Sequence, residues 1–351
     1  MPGRRRSKSA PAIAERSLRT SLIGLSETTR QILIIFTVTA IAAGTPGSAL
    51  AYETDQMTNR GDPLSDSTEV LNREVNEAIG EIVEEWQMGY DEMGFVNQIY
   101  RKIGGLHWVD RIENWANKSP EVDRLDTPRF GSVFAGQPVW AVRVTALFGV
   151  GKTIRINDQL IGTDKLGHFI SQGRKYYRRF IRYGSEEKAA EQSVFTERAI
   201  FGQLANGIYS NADLVANYEG HRFYRSLFED DIIDGKPAIL RWENDGWVIQ
   251  REFDWADHVN EYWDEALNIN YFDAGLYKHM HETLISYCPQ YWQEPSLYTI
   301  INEQRLKERY GFLGLQDNSE LRLDSLCPVQ VFLETGAIPE EKSSPGARAF
   351  P

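Results

Sequence analysis

Cysteine is scarce in this chain. There are two in 351 residues, Cys288 and Cys327, each followed by proline. In an exported chain two cysteines are most simply one disulfide; two buried thiols are the other reading. A cross-link between them stabilises by roughly 3–4 kcal/mol in the chain-entropy model. No cysteine follows the apolar run 32–43, which excludes a lipid-modified lipoprotein signal. That run is shorter than the roughly 18–20 apolar residues a membrane span needs. Nothing after Tyr52 resembles a span: the best apolar stretch, "VWAVRVTALFGVG" (139–151), is short and contains Arg143. Positive charge is also in deficit, with a formal net charge of −12. The first 51 residues hold seven of the 38 basic and two of the 50 acidic residues. The remainder therefore carries 31 basic against 48 acidic, a net of −17, which argues against general nucleic-acid binding. A complete phosphate-binding loop is missing too. "GVGKT" (149–153) has Ala146 where the pattern needs glycine, so it reads as a strand-linking turn.

Residues 1–51 have the form of an export signal. Arg4, Arg5, Arg6 and Lys8 begin a basic stretch, the apolar run follows, and Ala49-Leu50-Ala51 matches a small-x-small cleavage pattern. The expectation is cleavage before Tyr52, with retention as a single anchor the alternative. The mature chain is then soluble or peripherally bound, and periplasmic, with secretion or loose envelope association as variants. Residues 52–67, polar and with Gly61-Asp62-Pro63, read as a loose arm.

From Thr68 the apolar residues fall at helical spacing: Val70, Leu71, Val75, Ala78, Ile79, Ile82, Val83 and Trp86. This predicts a helix over 68–87, with Asp66 and Glu69 resembling a capping box. Further helices are expected over 92–103, as two or three helices across 163–183 and 188–228, and over 255–267, 272–287 and 299–310. Short β-branched runs near 139–157 predict strands. A hairpin is expected near 238–253, with Asp245-Gly246 as its tight turn. The fold class is mainly α: one helical domain over 68–335 with small β elements, its motif core at 162–228, and a disordered tail at 336–351.

Two stretches concentrate chemistry. In "GTDKLGHF" (162–169), Thr163 is placed to cap a helix beginning at Asp164. Asp164, His168 and Gln172 then share one face at i, i+4 and i+8. In "YSNADLVANYEGHRFY" (209–224), Ser210 and Asp213 fit a helix cap, and Asp213, Asn217 and His221 again repeat every four residues. Ala216 and Gly220 beside them allow another helix to approach closely. Two helices can so bring Asp164, His168, Asp213, Asn217 and His221 together, with Glu197 supplied by a third.

In order and spacing these residues resemble the VanZ-like bacterial envelope proteins. The matching positions are Asp164, Lys165, His168 and Phe169; then Glu197; then Ser210, Asp213, Ala216, Asn217 and Gly220. They span about 60 residues. VanZ-like proteins are usually small and membrane-embedded, and are associated with the cell envelope and glycopeptide tolerance. The resemblance implies that these polar residues meet. The chain departs from the pattern in its large flanking regions, and Ile200 stands where a glutamine is expected soon after Glu197.

Histidine and carboxylates together suit a divalent metal, for which Asp164, His168, Asp213 and His221 are the candidate ligands. Acid–base catalysis would use Asp164, His168, Asp213, Glu197 and Asn217. The expected function is hydrolysis of an envelope phosphoester, ester or glycan bond. The alternative is a non-catalytic periplasmic scaffold or ligand-binding protein in which the same residues form a buried structural network. In "RKYYRRFIRY" (174–183), Arg174, Arg178 and Arg182 form one helical stripe. It suits an anionic envelope component such as a lipid headgroup or glycan, or pairs internally with Glu186, Glu187 and Glu191.

Overall fold

A computed structural model describes residues 53–105, 109–137, 150–196 and 207–327. The expected export signal (1–51), the expected tail (336–351), Glu197 and the first of the strands expected near 139–157 lie outside these residues. Helices dominate, and the strands form three two-stranded antiparallel sheets. The molecule is therefore mainly α with small β elements, as the periodicity predicts.

Helix α1 (Thr68–Glu85) turns Leu71, Val75, Ala78, Ile79 and Ile82 inward. It packs on α2 (Glu92–Ile103), which buries Phe95, Val96, Ile99 and Ile103. The start of α1 departs from a capping box. Asp66 Oδ1 accepts from Thr68 N, and Glu69 takes no part. A short α3 (Arg111–Ala116) follows. Strands β1 (Thr153–Ile156) and β2 (Gln159–Gly162) form a hairpin that the sequence pattern showed only in its first strand. Its turn residues, Asn157 and Asp158, have φ of 49° and 60°, which matches the twist a two-residue turn needs.

The centre is built by α4 (Asp164–Gly167), a π-helical turn at His168–Gln172, α5 (Gly173–Tyr183) and α7 (Asn211–Ser226); α6 (Glu186–Thr196) lies between the last two in sequence. The π turn and α5 run against α7 almost backbone to backbone. A Cβ on Gly173 would come within 2.6 Å of Gly220 backbone atoms, and one on Gly220 within 2.0 Å of Phe169 O. Tyr224 Oη donates to Ile170 O at 3.0 Å, satisfying a carbonyl of the π turn.

Strand β3 (Ile208–Tyr209) pairs with β6 (Tyr271–Phe272), and β4 (Leu240–Glu243) with β5 (Gly246–Ile249). The second hairpin turns at Asn244-Asp245, one residue earlier than expected, because these two adopt positive φ and Gly246 pairs with Glu243. The helix expected over 255–267 is absent. Two 3-10 turns, Trp255–Asp257 and Glu261–Trp263, replace it. Asp254, Asn260 and Asp264 each accept a bond from the backbone N–H two residues on, and such local bonds compete with a continuing helix. The C-terminal third contains α8 (Ala274–Ile285), α9 (Cys288–Gln293), α10 (Glu303–Tyr310) and α11 (Leu323–Leu326). Cys288 and Cys327 form a disulfide across a separation of 39 residues.

The segment expected to be a loose arm is instead packed into the core. Thr54, Asp55, Gln56, Met57 and Arg60 are buried. Their polarity is answered internally: Asp55 accepts from Met57 N, Thr58 N and Val133 N, and Arg60 pairs with Asp264 at 2.8 Å. Among the described residues no helix is long and apolar enough to cross a membrane.

Candidate functional site

The chain from β2 into α4 places an acid and a base side by side in the interior. Thr163 does not cap this helix. Its hydroxyl donates to Asn117 Oδ1, and Thr163 itself has helical backbone angles. Gly162 makes room for the acid, since Asp164 Oδ1 lies 2.3 Å from where its Cβ would be. Lys165 is 1% exposed, with Nζ 2.8 Å from Asp164 Oδ2, 2.7 Å from Asp213 Oδ1 and 2.8 Å from Glu265 Oε1. Three carboxylates thus surround one ammonium, which accounts for a lysine so deep in the protein.

Helix α7 supplies the opposite wall. Ser210 caps it by accepting from Asp213 N at 3.1 Å, and Ser210 Oγ donates to Glu265 Oε1 at 2.8 Å. Asp213 Oδ2 lies 3.3 Å from His168 Nε2, and Asn217 Oδ1 lies 3.0 Å from His168 Nδ1. Glu265 Oε2 accepts from Thr54 Oγ1 at 3.1 Å, so the N-terminal segment closes the cluster. One ligand atom each from Asp164, His168 and Asp213 lie within 4.8 Å of one another. Asp164 Oδ1 is buried and has no hydrogen-bond partner.

The two aspartates around Lys165 differ electrostatically. Burial pushes Asp164 up to about 6, against the pull of Lys165. Burial also acts on Asp213, but His168 and Lys165 outweigh it and hold Asp213 below its ordinary range. Lys165 is desolvated, yet its three carboxylates hold it well above the usual lysine range, so it is a fixed cation. Two more acids approach from α3 and the residue before it. A Cβ on Gly167 would lie 2.9 Å from Glu113 Oε2 and 3.7 Å from Asp110 Oδ2. Burial raises Asp110 to about 6, although Ser171 and Gly105 donate to it. Burial and then the neighbouring Asp164 and Asp110 push Glu113 well above the carboxylate range.

Of the residues singled out by sequence, the structure brings Asp164, His168, Asp213 and Asn217 together. Glu197 lies outside the described residues. His221 faces elsewhere. Its ring stacks on Tyr176 at 4.7 Å, and Nε2 is 3.5 Å from Glu186 Oε1. The helical repeat of four drifts, and by two turns it has carried His221 to a different neighbour. The π turn likewise breaks the ladder from Asp164 through His168 to Gln172.

Glu265, Thr54, Asp110 and Glu113 lie in or beside the cluster although the sequence pattern did not select them, and Lys165, named there only as a motif position, is its centre. Glu265 was legible only as an acid pair, Asp264-Glu265, between Trp263 and Ala266. Arg174 of the basic stripe is engaged by Asn97 and stacks over Tyr100 at 4.4 Å. Arg178 and Arg182 are exposed. Glu186 is taken by Arg225 and His221.

The cluster is nearly closed. The His168 and Asp213 side chains retain 7% and 12% exposure, against 3% for Asp164 and 1% for Lys165. A shallow depression lined by Thr54, Gln56, Phe134, Ala266 and Met280 reaches Glu265. A separate apolar cleft, lined by Leu267, Ile301, Leu306, Leu315 and Gln316, contains none of these ionisable residues. Comparison of the chain with protein-family models, curated proteins and solved structures finds no match.

Proposed function

We propose that this chain is an exported cell-envelope protein that hydrolyses a phosphoester, ester or glycan bond at the Asp164–His168–Asp213 cluster. The observation that carries the reading is the division between two carboxylates held by one lysine. Asp164, raised to about 6, is suited to exchange a proton near neutral pH, while Asp213 stays ionised. Asp213 and Asn217 flank the two nitrogens of His168 and fix its ring. The His168–Asp213 edge is also the least buried part of the cluster, at 7% and 12% side-chain exposure. The local resemblance to VanZ-like proteins supports the envelope assignment, and the form of residues 1–51 supports export. Arg178 and Arg182, exposed on α5, supply charge for an anionic headgroup or glycan.

The test is turnover of a panel by the purified chain: a chromogenic phosphate monoester and diester, a carboxylic ester, and envelope glycan. His168→Ala and Asp213→Asn should abolish turnover while leaving the melting temperature nearly unchanged. Absence of turnover on every member, or turnover that survives both substitutions, counts against the reading. Fractionation of expressing cells tests export separately.

One observation favours a second reading, a purely structural lock. Lys165 is enclosed by three carboxylates, and Thr54, Ser210 and Glu265 tie distant segments to it. In that case each substitution lowers stability by roughly 1–3 kcal/mol, and no activity is lost because none exists.

A further inference from the structure

We infer that Asp164, His168 and Asp213 hold a divalent transition-metal ion, with Asp164 Oδ1, His168 Nε2 and Asp213 Oδ2 as its protein ligands. Asn217 Oδ1, an acceptor, faces His168 Nδ1 at 3.0 Å. A proton on Nδ1 donates to it and leaves the neutral ring with a lone pair on Nε2. That lone pair faces a second acceptor, Asp213 Oδ2, at 3.3 Å. A proton on Nε2 can bridge this contact, and a metal ion can take the place of that proton.

The spacing suits an ion. A good N–H···O bond is about 2.9–3.0 Å long. Two ligands on one tetrahedral ion with bonds of roughly 2.1 Å stand about 3.4 Å apart. The observed 3.3 Å accommodates that geometry, although His258 and Glu219 pair at the same distance. An amide oxygen on the far ring nitrogen is also the usual support of a metal-bound histidine.

The third ligand is independent of this pair. Asp164 is buried to 3% exposure, and its Oδ1 has no hydrogen-bond partner. One donor atom from each of the three residues lies within 4.8 Å of the others, so an inward movement closes the set, with Asp164 contributing the oxygen that has no other partner. Lys165 does not take this place. It holds Asp164 Oδ2 and Asp213 Oδ1, the opposite oxygen of each carboxylate, and so orients both. When ionised, Asp164, Asp213 and Glu265 carry three negative charges against one positive charge on Lys165. A divalent ion balances the difference. Mixed carboxylate and imidazole donors suit zinc or manganese, and three protein ligands leave a position for water on the exposed edge.

The test is isothermal titration of the EDTA-treated purified chain with Zn²⁺ and with Mn²⁺, after a cooperative melt has shown the chain folded. One equivalent of at least one ion should bind. His168→Ala and Asp213→Asn should weaken binding by on the order of a hundredfold or more, and Asn217→Ala by about tenfold. If His168→Ala does not fold, the near-isosteric Asp164→Asn replaces it. A folded chain that takes up neither ion overturns the inference, as does undiminished binding in the ligand variants. The inference does not rest on hydrolysis. Uptake without turnover leaves the ion site standing and removes the hydrolase reading. Turnover by a chain that binds neither ion does the reverse.

Discussion

Lys165 Nζ and Glu265 Oε1 are 100 residues apart in sequence and 2.8 Å apart in space. The contact joins the middle of the chain to its C-terminal third and completes the shell of carboxylates around a buried ammonium. Removing that ammonium leaves Asp164, Asp213 and Glu265 without their shared counter-charge. Lys165→Met should therefore destabilise the protein by about 3–5 kcal/mol, read from urea denaturation. A loss under about 1 kcal/mol would show that the carboxylates relax to water or take up protons instead.

Asp110 gives a pH dependence. Its folded-state value is about 6, above its ordinary 3.8, so folding takes up a proton between those values. The contribution is fully present below the lower value and is lost as pH rises through the higher one. Asp110→Asn has no such proton uptake. Its stability relative to the unsubstituted chain should rise by about 2 kcal/mol from about pH 4 to about pH 7. A pH-independent difference would count against a raised Asp110.

Gly220 and Gly80 form a matched pair of tests. Alanine at 220 would force a Cβ to within 2.0 Å of Phe169 O, a backbone atom beside His168. Gly220→Ala should cost on the order of 3 kcal/mol and disturb the site. Gly80, within α1, has nothing within 4 Å of its would-be Cβ. Gly80→Ala should instead stabilise by about 0.5–1 kcal/mol. Thermal melts of both variants decide the matter.

These contrasts bear on how much was legible in the sequence. Helices α1 and α2 were visible because their apolar residues repeat with one period and face one way. Ser210 was visible as a cap because capping is local. The meeting of Asp164, His168, Asp213 and Asn217 followed from two four-residue repeats. The same rule then over-reached to His221 and Gln172, because a repeat of four drifts on an α-helix and a π turn changes the phase. Residues 255–267 carried a helical pattern, but Asp254, Asn260 and Asp264 turned the chain into short 3-10 pieces by bonding their own backbone. The polar 53–60 segment looked solvated because sequence does not show that its partners are Val133, Asp264 and Glu265. Long-range polar pairing leaves little trace in local spacing.

The disulfide sets a further expectation. Cys288 begins α9 and Cys327 follows α11, with 39 residues between them in sequence. Replacing both with serine should lower stability by about 3–4 kcal/mol, chiefly by freeing the unfolded chain. Denaturation of the double variant against the oxidised chain measures it. Equal stability would mean that the C-terminal helices hold this loop closed without the bond.

Thr54 and Glu265 touch across 211 positions. A ribosome adding about 5–20 residues per second needs roughly 10–40 s to travel from one to the other. Until then Thr54, and Lys165 and Ser210 once they are made, lack the carboxylate that joins them. The cluster cannot be complete until Glu265 has been added. A chain broken off before Glu265 would have the sequence motif without the complete polar cluster.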